Sequence, residues 1–258
     1  MISKNKLKEL AAYRLQKRCD EEAVFVVEGA KMCAEAMASG FAVRAVCATA
    51  PWLAAHAGGI AAGETYEVSD AELERLSGFK SPNHVWMLVE RTAAALPQAA
   101  GHSPLTLALD HIQDPGNMGT MLRTADWFGV RHVVCSRDTV SCYNPKVVQA
   151  SMGAVFRTKV DYVDLPEWLS ACGMPVYGAS LQGKPIAAQN TGIAREVVLL
   201  IGNESRGISK EAMAQVTDPV LIPNVGGTAE SLNASVAAGI LMNYLLWNNY
   251  NIKKEEQR

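Results

Sequence analysis

From residue 105 onward, short apolar runs alternate with amphipathic stretches at a spacing that leaves few folds open. Strands are expected at 105–109, 132–135, 159–163, 176–179, 197–201 and 220–222, with helices near 117–129, 145–151, 166–172, 209–215 and 231–248. Aliphatic runs without polar alternation mark strands buried on both faces, and intervening helices supply the crossovers that parallel strands need. The expected class is α/β, with a mostly parallel sheet covered by helices on both faces. Residues 93–104 interrupt the pattern with two prolines and a glycine and read as a linker. They separate an N-terminal domain at 1–92 from a larger domain at 105–249, which is followed by a polar tail at 250–258.

The N-terminal part reads as a smaller α/β domain. A helix is expected at about 5–18, a strand at 23–27, a helix at 30–39, strands at 43–48 and 65–68, a helix opened by Ser69, and a strand at 85–90. Ser69 and Glu72 have the spacing of a capping box. With 258 residues and 49% apolar content, the chain can bury two modest cores. Its six cysteines form no C-x-x-C pair and have no histidine at metal-ligand spacing, so neither a zinc site nor a disulfide framework is expected. No apolar run reaches the roughly 18 residues of a membrane span, and the basic N-terminus lacks a secretory signal's apolar core. A cytoplasmic protein without metal or membrane attachment is the expectation.

Three segments carry chemistry: 117–129 (Asn-Met-Gly-Thr-Met-Leu-Arg-Thr-Ala-Asp-Trp-Phe-Gly), 200–207 (Leu-Ile-Gly-Asn-Glu-Ser-Arg-Gly) and 222–233 (Ile-Pro-Asn-Val-Gly-Gly-Thr-Ala-Glu-Ser-Leu-Asn). Each sets glycine and polar residues where a strand ends or a helix begins, the place where backbone amides converge on ligands in open α/β sheets. Taken singly, each also has a purely structural reading. Asn117 is then a capping residue and Arg123 an exposed helix arginine, Glu204 complements a helix N-terminus, and Ser231 and Asn233 cap the last helix. Three such loops in one domain argue for a shared site. A nicotinamide-binding reading fails because no G-x-G-x-x-G follows the first strand of either domain.

Taken together, the segments resemble the motifs of the SpoU (TrmH-like) family of RNA ribose 2′-O-methyltransferases. Asn117, Gly119, Arg123, Ala125, Phe128 and Gly129 match the first motif, Gly202, Glu204 and Gly207 the second, and Pro223, Ser231, Leu232 and Asn233 the third. The match spans about 105–248. One departure is a loop between Pro223 and Ser231 about a residue longer than in many members, with Asn224 where methionine is frequent.

The resemblance implies S-adenosylmethionine as methyl donor, a ribose 2′-hydroxyl of RNA as acceptor, a deep trefoil knot of the SPOUT type, and a homodimer formed through the knotted domain. It also implies adenosyl-binding main chain near Gly202, Ile222 and Leu232, with Ala179 and Asn203 beside them. Arg123 is implied at the reacting hydroxyl. Because a guanidinium does not give up its proton near neutral pH, a clamp on phosphate or ribose suits it better than general base. Asn117 and Asn233 would orient Arg123 or the ribose, Ser231 would meet the 2′-oxygen, and Glu204 would fix the arginine or its loop. A tRNA acceptor and a non-catalytic RNA-binding protein stand as alternatives.

The net charge of −2 gives no nucleic-acid-like field, but the first 18 residues hold six cations against Glu9 alone. That stretch reads either as the solvated face of an amphipathic helix or as a phosphate-binding surface. Lys4-Asn-Lys and Phe25-Val-Val-Glu-Gly29 resemble the substrate-binding extension of many SpoU enzymes, which favours ribosomal RNA. On that resemblance Lys4, Lys6, Arg14, Lys17 and Arg18 are expected to contact RNA, helped by Arg44, Arg75 and Lys80.

Overall fold

In the first unit the strands at 24–28, 43–48 and 85–90 are near-continuous apolar runs because both their faces are buried, whereas the edge strand at 62–67 is polar and largely exposed. In a computed structural model, which describes residues 2–79, 84–91, 103–186 and 196–256 (the last nine by backbone alone), Val24–Glu28 (β1), Val43–Ala48 (β2), Ala62–Glu67 (β3) and Val85–Glu90 (β4) make a four-stranded sheet in the order β1-β4-β2-β3. β4 is antiparallel to both its neighbours and β2 is parallel to β3. Helices Lys4–Ala11 (α1), Gln16–Glu21 (α2), Ala30–Ala38 (α3), Ala50–His56 (α4) and Asp70–Leu76 (α5) connect or flank these strands. The core includes Leu7, Leu10, Tyr13, Val26, Leu73, Trp86 and Leu88, each large side chain among them contributing about 1.5–3 kcal/mol by burial.

The single helix expected at 5–18 is broken. α1 ends at Ala11, a 3₁₀ turn follows, and Leu15 takes an extended backbone (φ −88°, ψ 120°) before α2. The break turns Tyr13 inward, where its hydroxyl donates to Glu22 Oε2 at 2.7 Å, and leaves Leu15 68% exposed. The Ser69–Glu72 capping box forms as its spacing predicts. α4 is an addition: its alanine-rich sequence offered no amphipathic period.

The second unit holds six strands: Leu105–Leu109 (β5), His132–Ser136 (β6), Lys159–Val163 (β7), Val176–Pro185 (β8), Val197–Ile201 (β9) and Asp218–Leu221 (β10). Their order is β10-β8-β9-β5-β6-β7, and every pairing is parallel. Helices Pro115–Trp127 (α6), Leu165–Ala171 (α8), Lys210–Met213 (α9) and Ala234–Glu256 (α10) accompany them. A parallel sheet puts all strand carboxyl ends on one edge, so the loops after β5, β9 and β10 converge there.

The units do not follow the order of the chain. One comprises Met1–Pro97 with Tyr143–Arg157, the other Gln98–Cys142 with Thr158–Arg258. The helix Pro145–Ser151 (α7) and the turn after it therefore complete the first unit. Tyr143 packs on Phe25 with ring centroids 4.7 Å apart, Phe156 meets Phe25 and Phe41 at 6.0 and 5.6 Å, and Arg157 Nη1 lies 2.5 Å from Glu35 Oε2. Most of the expected linker, together with Lys80, lies outside the described residues. Among those residues no helix is long and apolar enough to cross a membrane, and no cluster of His, Cys, Asp or Glu could hold a metal ion.

Candidate active site

Asp110-His-Ile-Gln-Asp114 follows β5 and delivers the chain to α6. Asp114 is the N-cap, its Oδ1 accepting from Asn117 N at 2.7 Å, and Pro115 opens the helix with its fixed φ. Asn117 is thus the third residue of α6 rather than its cap. With Asp114 satisfying the backbone, the Asn117 side chain is free to act elsewhere while remaining buried.

Gly202 follows β9 directly, and the chain doubles back so tightly that a Cβ there would lie 2.3 Å from Gly207 C and Ile208 N. Asn203 and Gly207 exchange backbone hydrogen bonds of 3.0 and 2.9 Å, closing the turn. Both ends of the Asn203 side chain are used: Oδ1 accepts from Ser205 N (2.9 Å) and Arg206 N (3.1 Å), and Nδ2 donates to the His111 carbonyl (2.8 Å). Buried Asp110 adds a second link by accepting from Ser209 N at 2.7 Å.

The third loop ends at Asn233, which caps α10: its Oδ1 accepts from Ser235 N at 2.9 Å and Val236 N at 3.3 Å. Its Nδ2 donates to Asn117 Oδ1 at 2.9 Å, and Asn117 Nδ2 donates in turn to Glu204 Oε1 at 2.5 Å. One directional chain, Asn233 to Asn117 to Glu204, therefore joins three loops that are far apart in sequence. Asn117 suits the middle position because a primary amide both accepts and donates.

Arg123 is exposed on α6 and has no hydrogen-bond or ion-pair partner among the described residues. Ser231 is likewise exposed and unpartnered, and α10 begins three residues after it. Ala179 lies where β8 breaks register with β10: Gly178 pairs with Pro219, but Val220 pairs with Lys184. Ile222 is half-buried, and Leu232 is 48% exposed. Asn224 organises the extended third loop, accepting from Gly226 N and Gly227 N at 3.0 and 2.7 Å and donating to the Gly227 carbonyl at 3.0 Å. Beyond it the backbone N–H groups of residues 228–232 find no acceptor among the described residues. Free donors beside exposed Val225 and Leu232 fit a ligand with both a polar heterocycle and apolar faces, such as an adenosyl group.

The basic N-terminal residues divide into two sets. Lys6 Nζ lies 2.9 Å from Glu64 and 3.0 Å from Glu9, and its hydrogen bond to Glu64 raises the ammonium pKa against the opposing effect of burial. Arg18 pairs with Glu22 at 2.5 Å, and Arg44 bridges Glu22 and Glu90 at 2.6 and 3.3 Å. Lys4, Arg14 and Lys17 are exposed and make no ion pair among the described residues. The Phe25-Val-Val-Glu-Gly29 motif is spent inside the unit: Glu28 is 7% exposed and accepts from Ser77 Oγ and from Gly78 N, the latter at 3.0 Å. Sequence reasoning assigned no role to Asp110, His111 or Asp114; the Asp-Pro step just before a helix pattern was the available signal for Asp114.

An all-parallel α/β sheet whose carboxyl-edge motifs are knit by an Asn-Asn-Glu chain defines an α/β domain with a ligand-binding edge. The chain belongs to the SpoU rRNA methylase family, whose model matches residues 104–243; an MRM3-like substrate binding domain matches residues 4–86. The 23S rRNA (guanosine(2553)-2′-O)-methyltransferase RlmP of Bacillus subtilis is 40% identical over 143 residues, 54% of this chain and 56% of that protein. The chain thus matches little more than half the length of that relative. Among solved structures, a TrmH-family protein from Porphyromonas gingivalis is 36% identical with a TM-score of 0.82, covering 95% of this chain and 98% of that one. The AdoMet-bound rRNA methyltransferase from Sinorhizobium meliloti is 27% identical with a TM-score of 0.78, covering 95% of both chains.

Proposed function

We propose that this protein transfers a methyl group from S-adenosylmethionine to a ribose 2′-hydroxyl of ribosomal RNA. The observation that carries the reading is the Asn233–Asn117–Glu204 chain, which locks the three motif loops into one edge of the sheet. When bound, S-adenosylmethionine supplies an electrophilic methyl group. The free amides of residues 228–232, with Leu232 and Ile222, hold its adenosyl part, and the Gly202 turn and Ala179 border it.

The chain's remaining work is to position the acceptor. Arg123, without a partner among the described residues, clamps the RNA phosphate or ribose and stabilises negative charge developing on the 2′-oxygen. Ser231 meets the same ribose. Lys4, Arg14 and Lys17 supply backbone-phosphate contacts, whereas Lys6 and Arg18 act mainly through their carboxylate partners.

The protein works in the cytoplasm as a homodimer through its knotted domain. Exposed Trp127 (84%), Val236 (49%) and Ile240 (41%) on α6 and α10 support that assembly, and sedimentation tests it. The deciding experiment is methyl transfer from tritiated S-adenosylmethionine to RNA from a strain lacking this gene. Label is expected as a 2′-O-methyl nucleotide in an rRNA band, and Arg123→Ala is expected to abolish it while cofactor binding stays intact. Cofactor binding with no transfer to any RNA or ribosomal particle would replace this reading with that of a non-catalytic RNA-binding protein.

A further inference from the structure

His111 has no part in the motif chain, yet its backbone is among the few non-glycine backbones in the left-handed region, at φ 56°. Such conformations persist where the surroundings over-determine them, and they cluster at functional loops. The surroundings here come from the turn after β6. His111 N–H donates to Ser136 Oγ at 2.9 Å, and Ile112 N–H donates to Thr139 Oγ1 at 3.3 Å. Val140 N–H donates to the Ile112 carbonyl at 2.8 Å. Ser136 and Thr139 are buried and lie 3.0 Å apart through their hydroxyls. Asp138, on the same turn, holds the imidazole by Nδ1 at 3.1 Å, with Asp110 at 3.7 Å on the same nitrogen.

This backing has one outlet. With N–H and ring both tethered to residues 136–139, the left-handed twist presents the His111 carbonyl to Asn203 Nδ2 at 2.8 Å. Asn203 in turn shapes the turn that carries Glu204, which accepts from Asn117. We infer that His111 is a positioning residue: clamped by Ser136 and Asp138, it sets the Asn203 turn and through it the register of Glu204 against Asn117. Its contribution to turnover rests on the methyl-transfer reading; its contribution to the geometry does not.

Two measurements on the full chain test this. Valine is β-branched and ill-suited to the left-handed region, whereas asparagine adopts it readily and can still donate to Asp138. His111→Val is expected to lower kcat on the order of 100-fold, with a smaller weakening of S-adenosylmethionine binding because the same turn borders the cofactor, and His111→Asn to restore most of both. Independently, the Asn203 side-chain amide protons, assigned in NMR spectra by their loss in Asn203→Asp, should exchange slowly in the parent and His111→Asn proteins and fast in His111→Val. Should the valine variant not fold, Asp138→Ala carries both readouts, with a smaller fall in kcat and faster Asn203 exchange. Parent-like kcat or parent-like Asn203 protection in the folded variant would overturn the inference. A parent protein that methylates no RNA would remove the methyl-transfer reading and leave the exchange measurement to decide on His111.

Discussion

The three motif loops and the basic N-terminal helices both drew attention in the sequence, yet they use their polar groups in opposite ways. In the motif segments, the side chains of Asn117, Glu204 and Asn233 link to one another across long sequence separations, and Arg123 and Ser231 have no partner among the described residues. In the N-terminal unit, Lys6, Arg18 and Arg44 are taken up by nearby carboxylates, and only part of the cationic run remains available. A polar residue whose bonds fix the shape of a site and a charged residue that merely lies near one cannot be told apart by composition. What separates them is whether the bonds tie the motif segments of one site together, as Asn117 does, or neutralise a charge against a neighbouring carboxylate, as Lys6 and Arg44 do.

The largest effect expected from breaking this contrast is at Asn117. Asn117→Ala removes the donor to Glu204 and the acceptor of Asn233 together, and methyl transfer should fall on the order of 100-fold while global unfolding shifts modestly. Gly202→Ala follows: its Cβ has no space against Gly207 and Ile208, so thermal unfolding should show about 1–3 kcal/mol of destabilisation together with weakened cofactor binding. Next, neutralising Lys4, Arg14 and Lys17 to glutamine should lower the slope of log affinity for RNA against log salt by about 2–3, whereas Lys6→Gln with Arg18→Gln should leave that slope nearly unchanged. Equal slopes for the two sets would erase the division drawn between them.

The smallest effect concerns Glu28. Burial raises its carboxyl pKa above the ordinary 4.5 despite hydrogen bonds from Gly78 and Ser77 that lower it. The native state therefore holds this proton more tightly than the unfolded chain, so the contribution is fully present below pH 4.5 and is lost as pH rises through the raised value. Thermal unfolding of Glu28→Gln, followed from pH 4 to 8, should lack that decline; parallel curves for the two proteins would show that Glu28 is not its source.

Much of the architecture was legible because it is local. Ser69 and Glu72 announce a helix start by their spacing, and the aliphatic run at 197–201 admits only a buried strand. The motif residues were legible as a set, but their pairing was not, since Asn117 finds its partners 87 and 116 positions away. β8 continues to Pro185, past the expected end at 179, because Gly183 lets the backbone lie where a Cβ would come within 2.6 Å of Val220 N. Glycine and proline there read as a turn until the neighbouring strand is known. The break after α1 and the left-handed His111 escaped notice for the same reason: each is imposed by a partner outside its own segment.

The membership of Tyr143–Arg157 in the first unit has a consequence for how the protein is made. Synthesis proceeds from the N-terminus at roughly 5–20 residues per second, so the ribosome needs on the order of 3–12 s to pass from Pro97 to Arg157. For most of that interval Phe25 lacks Tyr143, and until its end Phe25 and Phe41 lack Phe156. The nascent N-terminal unit therefore lacks part of its own aromatic cluster until a segment encoded after the first stretch of the second unit has been made.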